Sequence, residues 1–158
     1  MIEITLTVNG ITKTLAVEPR RLLADVLRQD FGCAGVHIGC AHGSCGACTV
    51  QVAGAPRLSC LCFAVQCDGQ KITTVEGLAA DGRLHPLQQA FIDAHGLQCG
   101  YCTPGQIMAL LDFVATAENP GDDEIRQAMS GNLCRCTGYQ TIVDAVRKAI
   151  DAREAGDG

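Results

Sequence analysis

Three cysteines packed into nine residues constrain this chain more than anything else in it. The run Gly39-Cys40-Ala41-His42-Gly43-Ser44-Cys45-Gly46-Ala47-Cys48 has the spacing C-x4-C-x2-C, with Cys60 downstream. A segment this rich in glycine and thiols cannot continue a helix or a sheet ladder. It must wrap something small, with backbone N–H groups turned inward toward sulfur. The glycines at 39, 43 and 46 would permit positive φ and keep Cβ atoms out of the way. The spacing is that of a plant-type [2Fe–2S] loop, whereas structural zinc sites more often use two C-x2-C pairs.

A second group follows. Cys99 and Cys102 form C-x2-C, and Cys134 and Cys136 form C-x-C. Each pair runs directly into T-x-x-Q, Thr103 to Gln106 and Thr137 to Gln140. Both read as capping boxes, with Pro104 at the first helical position. On that reading both pairs sit at helix N-termini, whose unpaired N–H groups and dipole favour an anionic, thiolate-bound cluster.

The chain has 11 cysteines in 158 residues. The odd count, and an N-terminus that alternates like a strand instead of showing a signal-peptide layout, argue against a disulfide scaffold and for metal or redox chemistry in a cytoplasmic protein. The remaining thiols, Cys33, Cys62 and Cys67, read as small buried hydrophobes; Cys62, two residues past Cys60, is the competitor for the fourth position of the first set. A net charge of −5 opposes nucleic-acid binding, and no apolar run approaches the roughly 20 residues of a membrane span. His42 lies inside the first loop, but a Rieske-type site needs two histidines, so His42 should face solvent. His37, His85 and His95 read as surface or helix-end residues. Arg135, between two thiols, is either a surface charge or an electrostatic tuner.

Periodicity divides the chain. Ile2, Ile4, Leu6 and Val8 alternate, Asn9-Gly10 signals a hairpin, and a returning strand covers 12–17. A helix is expected over 21–30, ending before Gly32, and strands over 48–52, 56–61 and 71–75. The second half reads as four helices over 84–95, 104–116, 122–129 and 138–153, the second of them buried, with a frayed tail at 155–158. The boundary falls within 77–82, giving domains of 1–77 and 78–158.

Taken together, the chain resembles the small iron–sulfur subunit of the molybdenum hydroxylases, the xanthine oxidase and aldehyde oxidoreductase family. The resemblance rests on residues 25–28, the Cys40 loop, Gln98-Cys99-Gly100-Tyr101-Cys102-Thr103-Pro104-Gly105 and Gly131-Asn132-Leu133-Cys134-Arg135-Cys136-Thr137-Gly138-Tyr139. It implies an α+β architecture: a plant-ferredoxin-like β-grasp domain, then an all-α four-helix [2Fe–2S] domain. It implies two [2Fe–2S] clusters, held by Cys40, Cys45, Cys48 and Cys60 and by Cys99, Cys102, Cys134 and Cys136. It also implies pterin contacts from Gln98 and Cys136. The partners implied are a medium subunit with FAD and a large subunit with molybdenum on molybdopterin, in the cytosine dinucleotide form, in a dimer of heterotrimers. No G-x-G-x-x-G run is present, which leaves flavin and molybdenum to those partners. Catalytic residues are expected on the large subunit and none here. The competing functions are a free-standing two-cluster ferredoxin and a zinc-stapled interaction module.

Overall fold

The structure, a computed structural model, describes residues 1–156. Strand β1 (Ile2–Val8) buries Ile4, Leu6 and Val8 and leaves the intervening residues toward solvent. Asn9 and Gly10 both take positive φ, 49° and 83°, as a two-residue hairpin demands. Strand β2 (Ile11–Val17) returns antiparallel, and Thr5 and Thr7 pair their hydroxyls with Thr14 and Thr12 across the ladder. Asn9 also reaches across the sheet: its Oδ1 accepts from Thr74 N and its Nδ2 donates to Thr74 Oγ1, each at 2.9 Å.

Helix α1 (Leu23–Gln29) starts two residues later than periodicity implied. Leu22 stays extended because residues 21–23 pair with 62–64: Leu23 N donates to Cys62 O and Ala64 N to Arg21 O. Strands β3 (Thr49–Val52), β4 (Ala55–Leu58) and β5 (Lys71–Thr73) complete a five-stranded sheet of order β2-β1-β5-β3-β4, in which only β1 and β5 are parallel. The strand expected over 56–61 stops at Leu58 because Ser59–Leu61 turns into a 3-10 helix, and Val75–Gly77 does the same after β5. The sheet and α1 enclose one core, built on Ile4, Leu6, Leu23, Leu27, Val50 and Ile72.

The helical half holds α2 (Pro86–Asp93), α3 (Thr103–Thr116), α4 (Asp122–Ala128) and α5 (Gln140–Glu154). Helix α2 begins at Pro86, with His85 as its cap: His85 Nδ1 accepts from Leu87 N. Its end is closed by His95 at φ 53°, one residue before the expected Gly96. Ile142, Val143, Val146, Ala149 and Ile150 form the buried stripe of α5, packed with Leu87, Phe91, Leu110 and Ile125 in a second core. Ala155 and Gly156 close α5, and the rest of the tail expected at 155–158 lies outside the described residues. Among the described residues no helix is long and apolar enough to cross a membrane.

The halves meet where α3 lies on β3. Gln51 Nε2 donates to Met108 O at 2.9 Å, in full burial. Asn132 Nδ2 donates to Gly46 O at 3.0 Å, and Leu133 N to Cys45 O at 2.9 Å. At Gly105 a Cβ would stand 2.4 Å from Gly46 O and 2.8 Å from Ala47 Cα, so the two backbones touch and any side chain would hold them apart.

Candidate metal centres

The loop between residues 36 and 49 has no regular structure because its N–H groups turn toward sulfur. Cys45 N approaches Cys40 Sγ at 3.4 Å. Hydrogen bonds from the His42 and Cys45 backbone N–H groups bring the Cys40 thiol down to about 6. Positive φ occurs at Gly43 and Gly46 as expected; beside Cys40 it falls on Ala41 (φ 57°) and not on Gly39. Cys60 is buried and faces Cys48; burial first, and then the Cys48 sulfur, push its thiol up to about 12. The Gly43 N–H also points at the Cys60 sulfur. Cys33 and Cys67 are buried in the sheet core and Cys62 packs against it; burial raises all three thiols. His42 is exposed, its ring bonded to Cys40 O.

The second group is assembled from α3 and the turn before α5. Cys102 is the N-cap of α3 and lies against Cys134; burial, then that sulfur, push Cys102 up to about 12. Cys99 and Cys136 are both exposed, their sulfurs 3.5 Å apart. The Cys134 thiol is lowered: burial opposes ionisation, but the Thr137 hydroxyl and N–H outweigh it. Cys136 is raised, chiefly by its contact with Cys99.

The capping boxes do not form. Cys102 already has helical φ and ψ, so Thr103 is the first helical residue and its hydroxyl, like both amide atoms of Gln106, has no partner in the protein. Thr137 spends its hydroxyl on Cys134 Sγ and Tyr139 N, and left-handed backbone at Gly138 and Tyr139 delays α5 to Gln140. The dicysteine at 134–136 therefore sits ahead of α5 instead of on its N-terminus; only Cys102 caps a helix. Pattern reading also passed over two supports of the second site. Tyr139 Oη accepts from Cys134 N at 2.8 Å, and Asn132 anchors the segment to Gly46. Residue spacing marks neither: Tyr139 reaches back to Cys134 only because left-handed backbone at Gly138 and Tyr139 turns the chain, and Asn132 depends on a partner in the other half.

Among the described residues, no three or more His, Cys, Asp or Glu side chains gather into a site for one ion. The thiols come together two by two: Cys40 with Cys45, Cys48 with Cys60, Cys102 with Cys134, Cys99 with Cys136. A single tetrahedral ion needs four sulfurs around one point, whereas a cluster of two irons takes two thiolates on each. Thiolates held in such pairs are donors that a multiply charged metal centre neutralises. The donor sets fit [2Fe–2S] clusters.

Comparison with known proteins agrees. The model of the 2Fe-2S iron-sulfur cluster binding domain matches residues 6–70, and that of the [2Fe-2S] binding domain matches residues 74–147. The gamma subunit of caffeine dehydrogenase from a Pseudomonas species is 53% identical over 155 residues, which cover 96% of this chain and 92% of that protein. The chain belongs to the small [2Fe–2S] subunits of the molybdenum hydroxylase family. The nicotinate dehydrogenase small FeS subunit of Eubacterium barkeri is 48% identical over 95% of the chain and 96% of its own length. Quinoline 2-oxidoreductase from Pseudomonas putida 86 contains a chain of the same fold, with TM-score 0.91 and 46% identity, covering 99% of this chain and 98% of that one. The subunit is thus a two-domain electron-transfer protein, with a strand-rich ferredoxin-like domain followed by an all-helical one and a [2Fe–2S] site in each.

Proposed function

We propose that this subunit relays electrons between a molybdopterin site and FAD, each on a partner subunit of a cytoplasmic molybdenum hydroxylase assembled as a dimer of heterotrimers. The observation that carries the proposal is the two-by-two pairing of eight thiols, with one pair open to the surface beside Gln98. Cys40, Cys45, Cys48 and Cys60 hold the first cluster, in a domain of residues 1–77. Cys99, Cys102, Cys134 and Cys136 hold the second, in residues 78–158. When bound, each cluster supplies a one-electron carrier. The protein binds iron through thiolates, aims backbone N–H groups of the Cys40 loop and of Thr137 at sulfur, and keeps water from Cys48 and Cys60 by burial.

The helical site lies toward molybdenum and the ferredoxin-like site toward the flavin. Cys99, Cys136 and Gln98 are all exposed at one end of the helical half, where a large subunit can cover them. The free amide of Gln98 is available to hydrogen-bond a pterin edge, with the Cys136 sulfur close by. The holoenzyme's substrate is a nitrogen heteroaromatic, the class to which caffeine, nicotinate and quinoline in the names of the relatives belong.

Loading should give about four irons and about four acid-labile sulfides per chain, with two distinct paramagnetic signals after reduction. Zinc in place of iron, or one signal, would overturn the proposal, and a chain that purifies loaded but alone would favour a free-standing ferredoxin. A Gln98→Ala complex is expected to keep both signals while retaining several-fold less pterin after gel filtration; unchanged pterin content would remove Gln98 from that site.

A further inference from the structure

Tyr101 belongs by sequence to the second thiol group, between Cys99 and Cys102, yet its side chain is committed to the first. Its ring stacks on His37, with centroids 4.5 Å apart and planes 14° from parallel. His37 Nδ1 donates to Tyr101 O at 2.7 Å, and Tyr101 Oη donates to Ile38 O at 3.0 Å. These contacts pin the aromatic ring onto the segment that leads into Cys40. A Cβ placed on Gly39 would stand 3.1 Å from Cys45 Sγ and 3.5 Å from Tyr101 Cε1, so the ring edge and the Cys45 sulfur border the same small gap. The ring borders that gap, and Tyr101 as a whole is 46% exposed.

We propose that Tyr101, held flat by His37, shields the Cys45 side of the first cluster from water and thereby sets that cluster's reduction potential. The inference rests on the reading that Cys45 is a ligand of that cluster. Reduction adds an electron to a group already anionic through its thiolates, and water in contact stabilises the more charged form. Solvent exposure is one of the terms that fixes the potential of such a centre. A ring that displaces water from Cys45 therefore holds the potential down, and its removal must raise it. If the stack were packing alone, it would add to stability and leave the potential where it was.

The test is a redox titration of the loaded complex, following the two paramagnetic signals separately. Tyr101→Ala should raise the reduced-to-oxidised ratio of the first cluster at fixed potential by roughly three- to tenfold, tenfold being about 59 mV for a one-electron couple. The second cluster, although it brackets the mutated residue in sequence, should move less. Tyr101→Phe keeps the ring and should stay within about twofold of the parent. His37→Ala removes the support and should shift the first cluster in the same direction by a smaller factor. If Tyr101→Ala loses iron, Tyr101→Leu and His37→Ala decide the matter by the same measure. A first-cluster midpoint that stays put or falls, or a larger shift in the second cluster, overturns the proposal. The underlying reading fails differently: Cys45→Ser would then leave the first signal intact whatever Tyr101 does.

Discussion

Serine at Cys40, Cys45, Cys48 or Cys60 is expected to erase the first paramagnetic signal and leave the second, and serine at Cys99, Cys102, Cys134 or Cys136 to do the reverse. A hydroxyl is a far poorer iron ligand than a thiolate, so each loss should be near complete, with iron falling by about half. The sharpest comparison lies between neighbours. Cys60 is buried against Cys48 and receives the Gly43 N–H, while Cys62 packs with the sheet core. Cys60→Ser should therefore abolish the first signal, and Cys62→Ser should leave it unchanged. Cys33→Ala, Cys62→Ala and Cys67→Ala should keep both signals at a packing cost of about 1 kcal/mol each. A first signal that survives Cys60→Ser but not Cys62→Ser would reassign the fourth ligand.

The second large effect lies at Gly46, which joins the two halves. Its φ is +70°, and a Cβ there would stand 2.4 Å from both Gly131 O and Asn132 Nδ2. Alanine would thus meet the left-handed penalty of about 1–2 kcal/mol together with a clash against main chain. Relief would require breaking the buried Asn132–Gly46 hydrogen bond and loosening Leu133 from Cys45. Gly54 supplies the control, with φ +78° and nothing within 4 Å of its Cβ position. Gly54→Ala should cost only the backbone term. Gly46→Ala should cost about 3 kcal/mol or more, which corresponds to a fall of roughly 6–12 °C in the temperature at which the clusters bleach. Equal shifts for the two variants would show that the contact between the halves carries little of the stability.

Local chemistry makes much of this protein legible in its sequence. The alternation through Ile4, Leu6 and Val8, the Asn9-Gly10 turn and the stripe on α5 specify their elements because each is satisfied by residues close in sequence or by a generic apolar partner. The same holds for the two thiol groups, whose spacing is itself the constraint. Element ends are less legible where a distant segment competes for the backbone: Leu22 is kept extended by Phe63, and the strand after Ala55 gives way to the turn carrying Cys60.

The tertiary structure decided how the thiol groups are supported. Thr103 and Thr137 look alike in their motifs, yet one enters its helix without capping it and the other bonds a cysteine sulfur, because backbone angles at Cys102 and Tyr139 set where each helix can begin. That Asn132 grips Gly46, that Gly105 lies on Ala47 and that Tyr101 stacks on His37 beside Cys45 are contacts across 58 to 86 residues of sequence. The sequence by itself determined that there are two thiol groups and pointed to iron–sulfur chemistry, since the spacing within each cysteine run is a local property of the chain. How closely the two sites approach, and what shields each from water, was decided only in three dimensions, because those quantities depend on packing between segments that no local pattern connects.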